Sequence, residues 1–258
     1  MSETSYRNKL KKYLREQMTF FGAALTFGST RVTEVMARAG FDFLMVDAQH
    51  GNFDKASATD SIRAVAATTC VPFARVAENS AGAINDLLDA GALGIVVPMV
   101  NSRADAEAAV RAAFYPPLGA RSKGGMAPVF HGEDYPQWAN DEILLTVMIE
   151  TAEALAAVDE ILTVPGVDLC LVGTSDLSFE MRCPRSGVEI GQAVASVIAA
   201  GRRHGVPVGV ALGSPSEVQA YEEHPPAFFL ISHDYALLKG ASRTLVADMG
   251  RALGRPGG

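Results

Sequence analysis

Short apolar runs alternate with longer segments of helical period along the chain. The apolar runs are rich in β-branched and aromatic residues, as strands are, while most segments between them open on Ser or Thr and several close on Gly, as helices do. Eight runs have this character: FGAALTF, FDFLMVDA, PFARVA, GIVVPMV, ILLTVMIE, VDLCLVG, VPVGVAL and AFFLISHD. Eight strands, each followed by a helix, in about 250 residues predict an α/β fold, a single (β/α)8 barrel. A doubly wound open sheet is the alternative, but the first strand lacks the G-x-G-x-x-G turn of its dinucleotide-binding form.

The length and composition fit one domain. The chain has 258 residues, of which 48% are hydrophobic and 20% charged, which is enough for one large core. We predict a single barrel domain over residues 1–258, with an amphipathic helix at about residues 5–17. A long segment at about residues 115–141 carries paired glycines and prolines and is predicted to be a lid or an oligomer interface.

The charge balance argues against two classes of partner. A net charge of −7 leaves no basic face for nucleic acid. No segment reaches the roughly 18 uninterrupted apolar residues of a membrane span, and the N-terminus has no apolar signal-peptide core. We expect a cytoplasmic protein that binds neither nucleic acid nor membranes. Cys70, Cys170 and Cys183 have neither the number nor the spacing of a disulfide framework or zinc site, which indicates reduced thiols.

Polar and titratable residues stand at the carboxyl ends of several predicted strands. A (β/α)8 barrel carries its catalytic groups at that end of the strands. Each residue alone has an ordinary explanation. Asp176 suits a helix N-cap, Glu150 the first turn of a helix, Arg75 a structural ion pair with a neighbouring acid and His50 a loop. Their joint position around one rim favours a shared site instead. The rim residues are Asp47, Gln49 and His50 after the second strand, Arg75 after the third, Glu150 after the fifth and Asp176 after the sixth.

These residue types suit a divalent metal and a small keto acid. Glu150 and Asp176 close neighbouring strands, which run about 4.8 Å apart, so both carboxylates can reach one cation. Two oxygen ligands leave Mg²⁺ or Mn²⁺ open positions for water and substrate. Arg75 and the backbone N–H groups of Gly173 and Thr174, in the turn GTSD, suit the oxygens of a 2-oxo acid. As a Lewis acid, the metal would stabilise the enolate of that acid.

His50 is the candidate general base, because enolate chemistry needs a proton acceptor for the hydroxyl of the partner molecule. It is the only histidine at the end of an early strand beside an acid. Asp89, in INDLLDAG, is a candidate for orienting this imidazole, with a solvated aspartate at a helix end as the alternative. His233 ends the eighth strand near the same rim, but no acid or metal motif accompanies it.

Six segments carry a resemblance to a known family. GFDFLMVDAQH, RV, LLDAGALGIVVPMV, YPPLGARS, IET and GTSDLS resemble, in order and spacing, the metal-dependent class II pyruvate aldolases of the HpcH/HpaI aldolase and citrate lyase family, over about residues 18–245. The resemblance implies a (β/α)8 barrel with Mg²⁺, Mn²⁺ or Co²⁺ held by Glu150 and Asp176. It makes His50 the base and Asp89 the group that raises its basicity. It also implies hexamers, as trimers of dimers that exchange a C-terminal helix, with Asp89 then acting across a subunit boundary.

The resemblance also assigns the substrate contacts, with two departures. Arg75 matches the arginine that stabilises charge on the keto oxygen, and Ser175 would offer its backbone N–H to the pyruvate carboxylate. Gln49 stands where the family usually has glutamate, and Met148 stands where it commonly has glutamine near the substrate. The first departure removes a negative charge and the second supplies an apolar wall. We expect the chemistry to persist with an altered substrate preference.

The 115–141 segment contains two further groups of candidates. Arg121 and Lys123 suit the distal, often anionic, end of an aldol substrate. His131, Tyr135 and Trp138 are expected to be packing or interface residues.

The predicted activity is that of a lyase which reversibly cleaves a 4-hydroxy-2-oxo acid to pyruvate and an aldehyde, as in the catabolism of aromatic or sugar acids. A carbon–carbon lyase acting on an acyl-CoA, as in the citrate lyase branch, is the nearest alternative, although the acidic balance disfavours a large anionic nucleotide. A noncatalytic keto-acid-binding homologue is the third.

Overall fold

The computed structural model describes residues 7–222 and 225–255. Its strands are β1 (Phe20–Leu25), β2 (Phe43–Asp47), β3 (Val71–Arg75), β4 (Gly94–Val97), β5 (Leu144–Ile149), β6 (Leu169–Val172), β7 (Val208–Ala211) and β8 (Phe228–His233). Each strand pairs in parallel with the next, and β1 pairs with β8, so the sheet closes into a barrel. The predicted (β/α)8 barrel is confirmed.

Helices surround the sheet and cap it. They are α1 (Lys9–Arg15), α2 (Thr30–Met36), α3 (Lys55–Ala66), α4 (Ala81–Asp89), α5 (Arg103–Ala113), α6 (Ala127–His131), α7 (Tyr135–Glu142), α8 (Ala152–Ala156), α9 (Val158–Leu162), α10 (Thr174–Glu180), α11 (Val188–His204) and α12 (Asp234–Ala252). The expected hydroxyl caps are present, since Ser29, Ser80, Ser102 and Thr151 accept backbone N–H groups at the starts of α2, α4, α5 and α8.

The helical layer differs from the predicted pattern in three places. The segment TAEALAAVDEIL forms two short helices, α8 and α9, because the backbone leaves the helical conformation at Ala157 (φ −95°, ψ 8°). Between β7 and β8 the described residues form a 3₁₀ helix (Pro215–Tyr221) and no α-helix. The helix predicted at about residues 5–17 corresponds to α1, which is shorter and spans Lys9–Arg15. Residues 5 and 6 lie outside the described residues.

Alternate residues of each strand belong to two different apolar clusters. In β2, Leu44 and Val46 face the surrounding helices, whereas Phe43 faces the barrel interior. Within that interior the rings of Phe20 and Phe228 stack with their centroids 5.3 Å apart. Leu10 of α1 is fully buried in the same cluster. Among the described residues α1 covers the amino-terminal end of the strands, and the barrel is open at their carboxyl ends.

The 115–141 segment connects α5 to β5, so it lies at the amino-terminal end of the barrel. Barrel helices run back from the carboxyl ends of the strands, and the loop after a helix is therefore on the face opposite the mouth. The segment therefore does not cover the mouth of its own barrel, and the prediction of a lid there is wrong. Its role as an oligomer interface stays a prediction. The segment contains α6 and α7, and its aromatic residues pack on one another, with ring centroids 5.6 Å apart for His131 and Tyr135 and 4.9 Å for Tyr135 and Trp138.

The last helix stands away from the barrel. Of the 19 residues of α12, only Asp234 is buried. Leu238, Leu245 and Met249, spaced seven and four residues apart along one helix face, are all exposed, and so is Val246 beside them. Among the described residues, no helix combines the length and the apolar character that a membrane crossing requires.

Candidate active site

The polar side chains of the site continue the inward-facing rows of the barrel core. Along a strand every second residue points inward, so the position two residues after a buried core residue faces the same interior. At the carboxyl ends of three strands, the inward-facing position that follows the last core residue is polar. The pairs of polar and underlying core residues are Asp47 and Met45 in β2, Arg75 and Phe73 in β3, and Glu150 and Met148 at the end of β5.

Arg75 and Asp47 form a two-pronged ion pair. The parallel register sets them side by side on β3 and β2. Nε and Nη2 of Arg75 donate to Oδ1 and Oδ2 of Asp47 at 2.9 and 2.6 Å. Oδ1 also accepts the backbone N–H groups of Gln49 and His50. Burial raises the pKa of Asp47, but the hydrogen bonds and charge of Arg75, with the two backbone donors, outweigh it and hold the pKa below the ordinary 3.8. Asp47 is thus a charged anchor that fixes the guanidinium.

Glu150 is a buried carboxylate held by a strained main-chain donor. Only 3% of the residue is exposed, and its Oε1 accepts the backbone N–H of Met99 at 2.7 Å. Met99 has φ 55°, a left-handed conformation that is unfavourable for a side chain other than glycine. Burial raises the pKa of Glu150, the Met99 N–H opposes that rise, and the charge of Asp176 adds to it. Arg75 and His50 lower the pKa through their charges, so all these groups surround one carboxylate.

The turn after β6 brings Asp176 to Glu150. Gly173 ends the strand, and a Cβ at this position would lie 2.6 Å from the Cβ of Glu150, so a side chain there would keep the turn away. Thr174 begins α10 and is buried, whereas Ser175 and Asp176 are exposed. No side chain caps the first turn of α10. Its backbone N–H groups are therefore available to an anion.

The two carboxylates fit a divalent metal. Met99 occupies Oε1 of Glu150, and Oε2 faces the turn at Gly173. The raised pKa of Glu150 reflects repulsion from Asp176 in addition to burial, and a dication between the two groups would relieve that repulsion. The described part of the chain holds no group of three or more His, Cys, Asp and Glu side chains that could bind a metal. Two oxygen ligands suit a hard cation with open positions and not a closed structural zinc site.

His50 and Gln49 lie on the rim beside this pair. The His50 side chain is exposed, and its charge reaches Glu150. Gln49 is half-buried, and its Oε1 is shielded from solvent without a hydrogen-bond partner among the described residues.

Asp89 does not reach this site in its own chain. It ends α4 and therefore lies at the amino-terminal face of the barrel, where Nη2 of Arg121 donates to its Oδ1 at 2.7 Å. The Arg121 side chain is fully buried and also donates to the Tyr135 hydroxyl at 2.9 Å. The prediction that Arg121 meets substrate at the mouth is thus wrong within one chain, as is a contact of Asp89 with His50. The role of Asp89 across a subunit boundary stays a prediction.

His233 has a structural role at the root of α12. Its Nδ1 accepts the backbone N–H of Ala236 at 3.3 Å and so caps the helix. Its ring stacks on Tyr235 with the centroids 6.0 Å apart.

Two features of the site go beyond the sequence-based prediction. The sequence allows Arg75 an ion pair with a neighbouring acid, and the parallel register of β2 and β3 identifies that acid as Asp47. Met99 contributes through its main chain, which every residue type possesses, so its sequence carried no signal.

Comparisons with known proteins agree on one family. The profile of the HpcH/HpaI aldolase/citrate lyase family matches residues 25–224. A hydroxypyruvate/pyruvate aldolase of Sagittula stellata is 34% identical over 241 residues, which cover 92% of this chain and 95% of that protein. A 4-hydroxy-2-oxo-heptane-1,7-dioate aldolase of Escherichia coli is 32% identical over 253 residues, covering 94% of this chain and 95% of that protein.

A solved structure shows the same architecture. An HpcH/HpaI aldolase/citrate lyase family protein from Burkholderia cenocepacia superimposes with a TM-score of 0.88 at 31% identity. The match covers 94% of this chain and 99% of that one.

Proposed function

This chain belongs to the HpcH/HpaI aldolase/citrate lyase family, and on that premise we propose that it is a divalent-metal-dependent lyase. Its reaction is the reversible cleavage of a 4-hydroxy-2-oxo acid into pyruvate and an aldehyde. The observation that carries the proposal is the environment of Glu150, a buried carboxylate with Asp176, Arg75 and His50 within electrostatic reach at the open end of the barrel.

Glu150 and Asp176 are the residues that would hold the metal, with Mg²⁺, Mn²⁺ or Co²⁺ as the candidate ions. Both groups are hard oxygen donors, and Oε1 of Glu150 is already fixed by the Met99 N–H. When bound, the cation supplies Lewis acidity that stabilises negative charge on the keto oxygen of the substrate.

His50 is the general base in cleavage. Its imidazole takes the proton of the C4 hydroxyl, C4 becomes the carbonyl carbon of the departing aldehyde, and the C3–C4 bond breaks. The electron pair of that bond remains on the three-carbon fragment as the enolate of pyruvate. Transfer of a proton to C3 completes pyruvate, and the same steps in reverse join pyruvate to an aldehyde. The exposed position of His50 on the rim suits contact with the aldehyde portion.

Arg75 and the turn at the start of α10 bind the oxygens of the keto acid. Asp47 occupies Nε and Nη2 of Arg75, which leaves Nη1 to stabilise charge on the keto oxygen. The N–H groups of Thr174 and Ser175, which no side chain caps, suit the substrate carboxylate, whereas the Gly173 N–H already donates to the Ile149 carbonyl. Gln49 lies half-buried on the rim beside His50, where its side chain suits contact with the aldehyde portion.

Exchange of the methyl protons of pyruvate with solvent deuterium tests the proposal, because a site that forms the enolate must wash deuterium into C3. We expect exchange with Mg²⁺ or Mn²⁺ and its loss when a chelator removes the metal. Borohydride added with pyruvate should trap no covalent lysine adduct. Full exchange in metal-free protein would contradict the mechanism, and tight pyruvate binding without exchange would indicate a noncatalytic keto-acid-binding protein.

We also propose that the chain assembles with copies of itself, as a hexamer built from three dimers. The exposed apolar face of α12 supports this, since a 19-residue helix with one buried residue gains little stability from its own barrel. A helix exchanged between two subunits would bury Leu238, Leu245 and Met249. In such an assembly Asp89, already held by Arg121, would meet His50 of a second copy.

A further inference from the structure

The floor of the site is a single thioether side chain. Met148 lies at the inward-facing position directly beneath Glu150, is 4% exposed and belongs to the interior apolar cluster. Its methyl carbon would be 3.3 Å from a Cβ built on Gly173, and its sulfur lies 4.0 Å from Nη1 of Arg75. Met148 thus extends beneath the site from the Arg75 side to the Gly173 side.

This floor lacks a strong hydrogen-bonding group. A thioether sulfur is only a weak acceptor and has no proton to donate. Thr146, the next inward position down β5, is fully buried beneath Met148. The polar groups of the site, Asp47, Arg75 and Glu150, all lie one inward position above the core residues. The Thr146 hydroxyl has no hydrogen-bond partner among the described residues and is shielded from solvent below Met148, so a substrate atom that rests on Met148 meets its apolar surface.

We propose that Met148 is a specificity-determining residue that restricts the nucleophile to 2-oxo acids with hydrogen or alkyl at C3. This inference rests on the proposed function. The keto acid is anchored above Met148 by its oxygens, and C3 is the remaining end of a three-carbon acid. Pyruvate and 2-oxobutanoate place a methyl or methylene group there, whereas hydroxypyruvate adds a hydroxyl that loses its hydrogen bonds to water without replacement. A hydroxyl in an apolar pocket is typically rejected by about 10²-fold, which is the discrimination expected here.

The test compares deuterium exchange at C3 of pyruvate, 2-oxobutanoate and hydroxypyruvate in the Mn²⁺-loaded protein. We expect kcat/KM for pyruvate to exceed that for hydroxypyruvate by about 10²-fold, with 2-oxobutanoate closer to pyruvate. Met148→Gln supplies an amide and should reduce the pyruvate-to-hydroxypyruvate ratio by at least about tenfold. Met148→Leu keeps the floor apolar and should retain the wild-type ratio.

Met36→Gln controls for the burial of an amide elsewhere, since Met36 is 7% exposed in α2 outside the barrel. It should lower Tm and leave the ratio unchanged. If Met148→Gln does not fold, the wild-type and Met148→Leu ratios still decide the matter. A wild-type ratio near one, or a Met148→Gln ratio equal to wild type, would overturn this inference alone. No exchange with any of the three acids would overturn the proposed function and the inference together.

Discussion

The guanidinium of Arg75 is held edge-on by both oxygens of Asp47, at 2.9 and 2.6 Å, with only 13% and 3% of the two side chains exposed. The pair bridges adjacent strands at the mouth and leaves Nη1 directed away from Asp47, toward Met148. A point charge could neutralise Asp47, but only a planar fork can satisfy both oxygens and still present a third donor.

Replacing Arg75 by lysine tests the value of that geometry. Arg75→Lys keeps the charge and loses the fork, so we expect pyruvate deuterium exchange to fall by about 10²–10³-fold. Arg203→Lys is the matched control, because Arg203 also binds both oxygens of an aspartate, Asp159, but on the exposed surface. That variant should exchange at the wild-type rate. An Arg75→Lys protein with near-normal exchange would show that the fork has no catalytic role.

Neutralising Glu150 should stabilise the metal-free protein while destroying its metal site. The pKa of Glu150 is raised, so the folded state binds this proton more tightly than the unfolded state, and ionisation costs stability as the pH rises through the folded-state pKa. Glu150→Gln cannot ionise and should raise Tm at pH 7 by roughly 2–4 °C, for a gain of about 1 kcal/mol. Its affinity for Mn²⁺, measured by electron paramagnetic resonance, should be lost. Glu153→Gln is the control, because Glu153 is exposed in α8, and it should change neither Tm nor the affinity for Mn²⁺ by a comparable amount. If the metal-free Glu150→Gln protein were less stable than wild type, burial would not be the cause of the raised pKa of Glu150.

The left-handed backbone of Met99 should matter for metal binding. Glycine accepts φ 55° without strain, so Met99→Gly should keep the N–H on Glu150 and bind Mn²⁺ as wild type does. Met99→Val places a β-branched side chain in this conformation, which should cost about 1–2 kcal/mol of stability and weaken Mn²⁺ binding. Gln17→Val tests the same strain at φ 54° far from the site and should lower stability without changing Mn²⁺ affinity. Equal effects of both valine substitutions on Mn²⁺ would refute the positioning role.

The stability of the fold should decrease in mild acid because of His131. Burial lowers the pKa of this imidazole, the charge of Arg7 lowers it further, and the hydrogen bond to the Gly91 carbonyl only partly opposes the fall. The unfolded chain therefore takes up the proton first, and stability is lost as the pH falls from about 6.5 through the folded-state pKa. Urea unfolding of wild type and His131→Gln between pH 7.5 and pH 5 measures this loss, which should be smaller in the variant. Parallel pH profiles would rule out His131 as its source.

The exposed face of α12 should determine the oligomeric state. Val246→Asp places a charge on that face, and light scattering during size-exclusion chromatography should show a smaller species than wild type. Val35→Asp is the matched control, because Val35 in α2 and Val246 are equally exposed, at 73% and 72%. A Val35→Asp protein should assemble normally. A wild-type protein that elutes as a monomer would contradict the proposed assembly.

The barrel itself could be predicted from the sequence because its signals are local. Apolar runs of strand length, hydroxyl caps and helical spacing each depend on residues within one turn or one strand, and together they allow few topologies. The strand-end rule predicts that Arg75, Glu150 and Asp176 lie at one mouth. The α-helix expected between β7 and β8 is replaced, among the described residues, by a 3₁₀ helix that begins at Pro215.

What the sequence alone determined is the fold, the residue types at the mouth and the family they resemble. The tertiary structure decided which of those residues meet. Register paired Asp47 with Arg75, the left-handed turn at Met99 directed a main-chain N–H to Glu150, and the direction of α4 carried Asp89 to the far end of the barrel. The reason is physical: periodicity and capping act between near neighbours in the chain, whereas a hydrogen bond depends on the positions of atoms that only the closed barrel brings together.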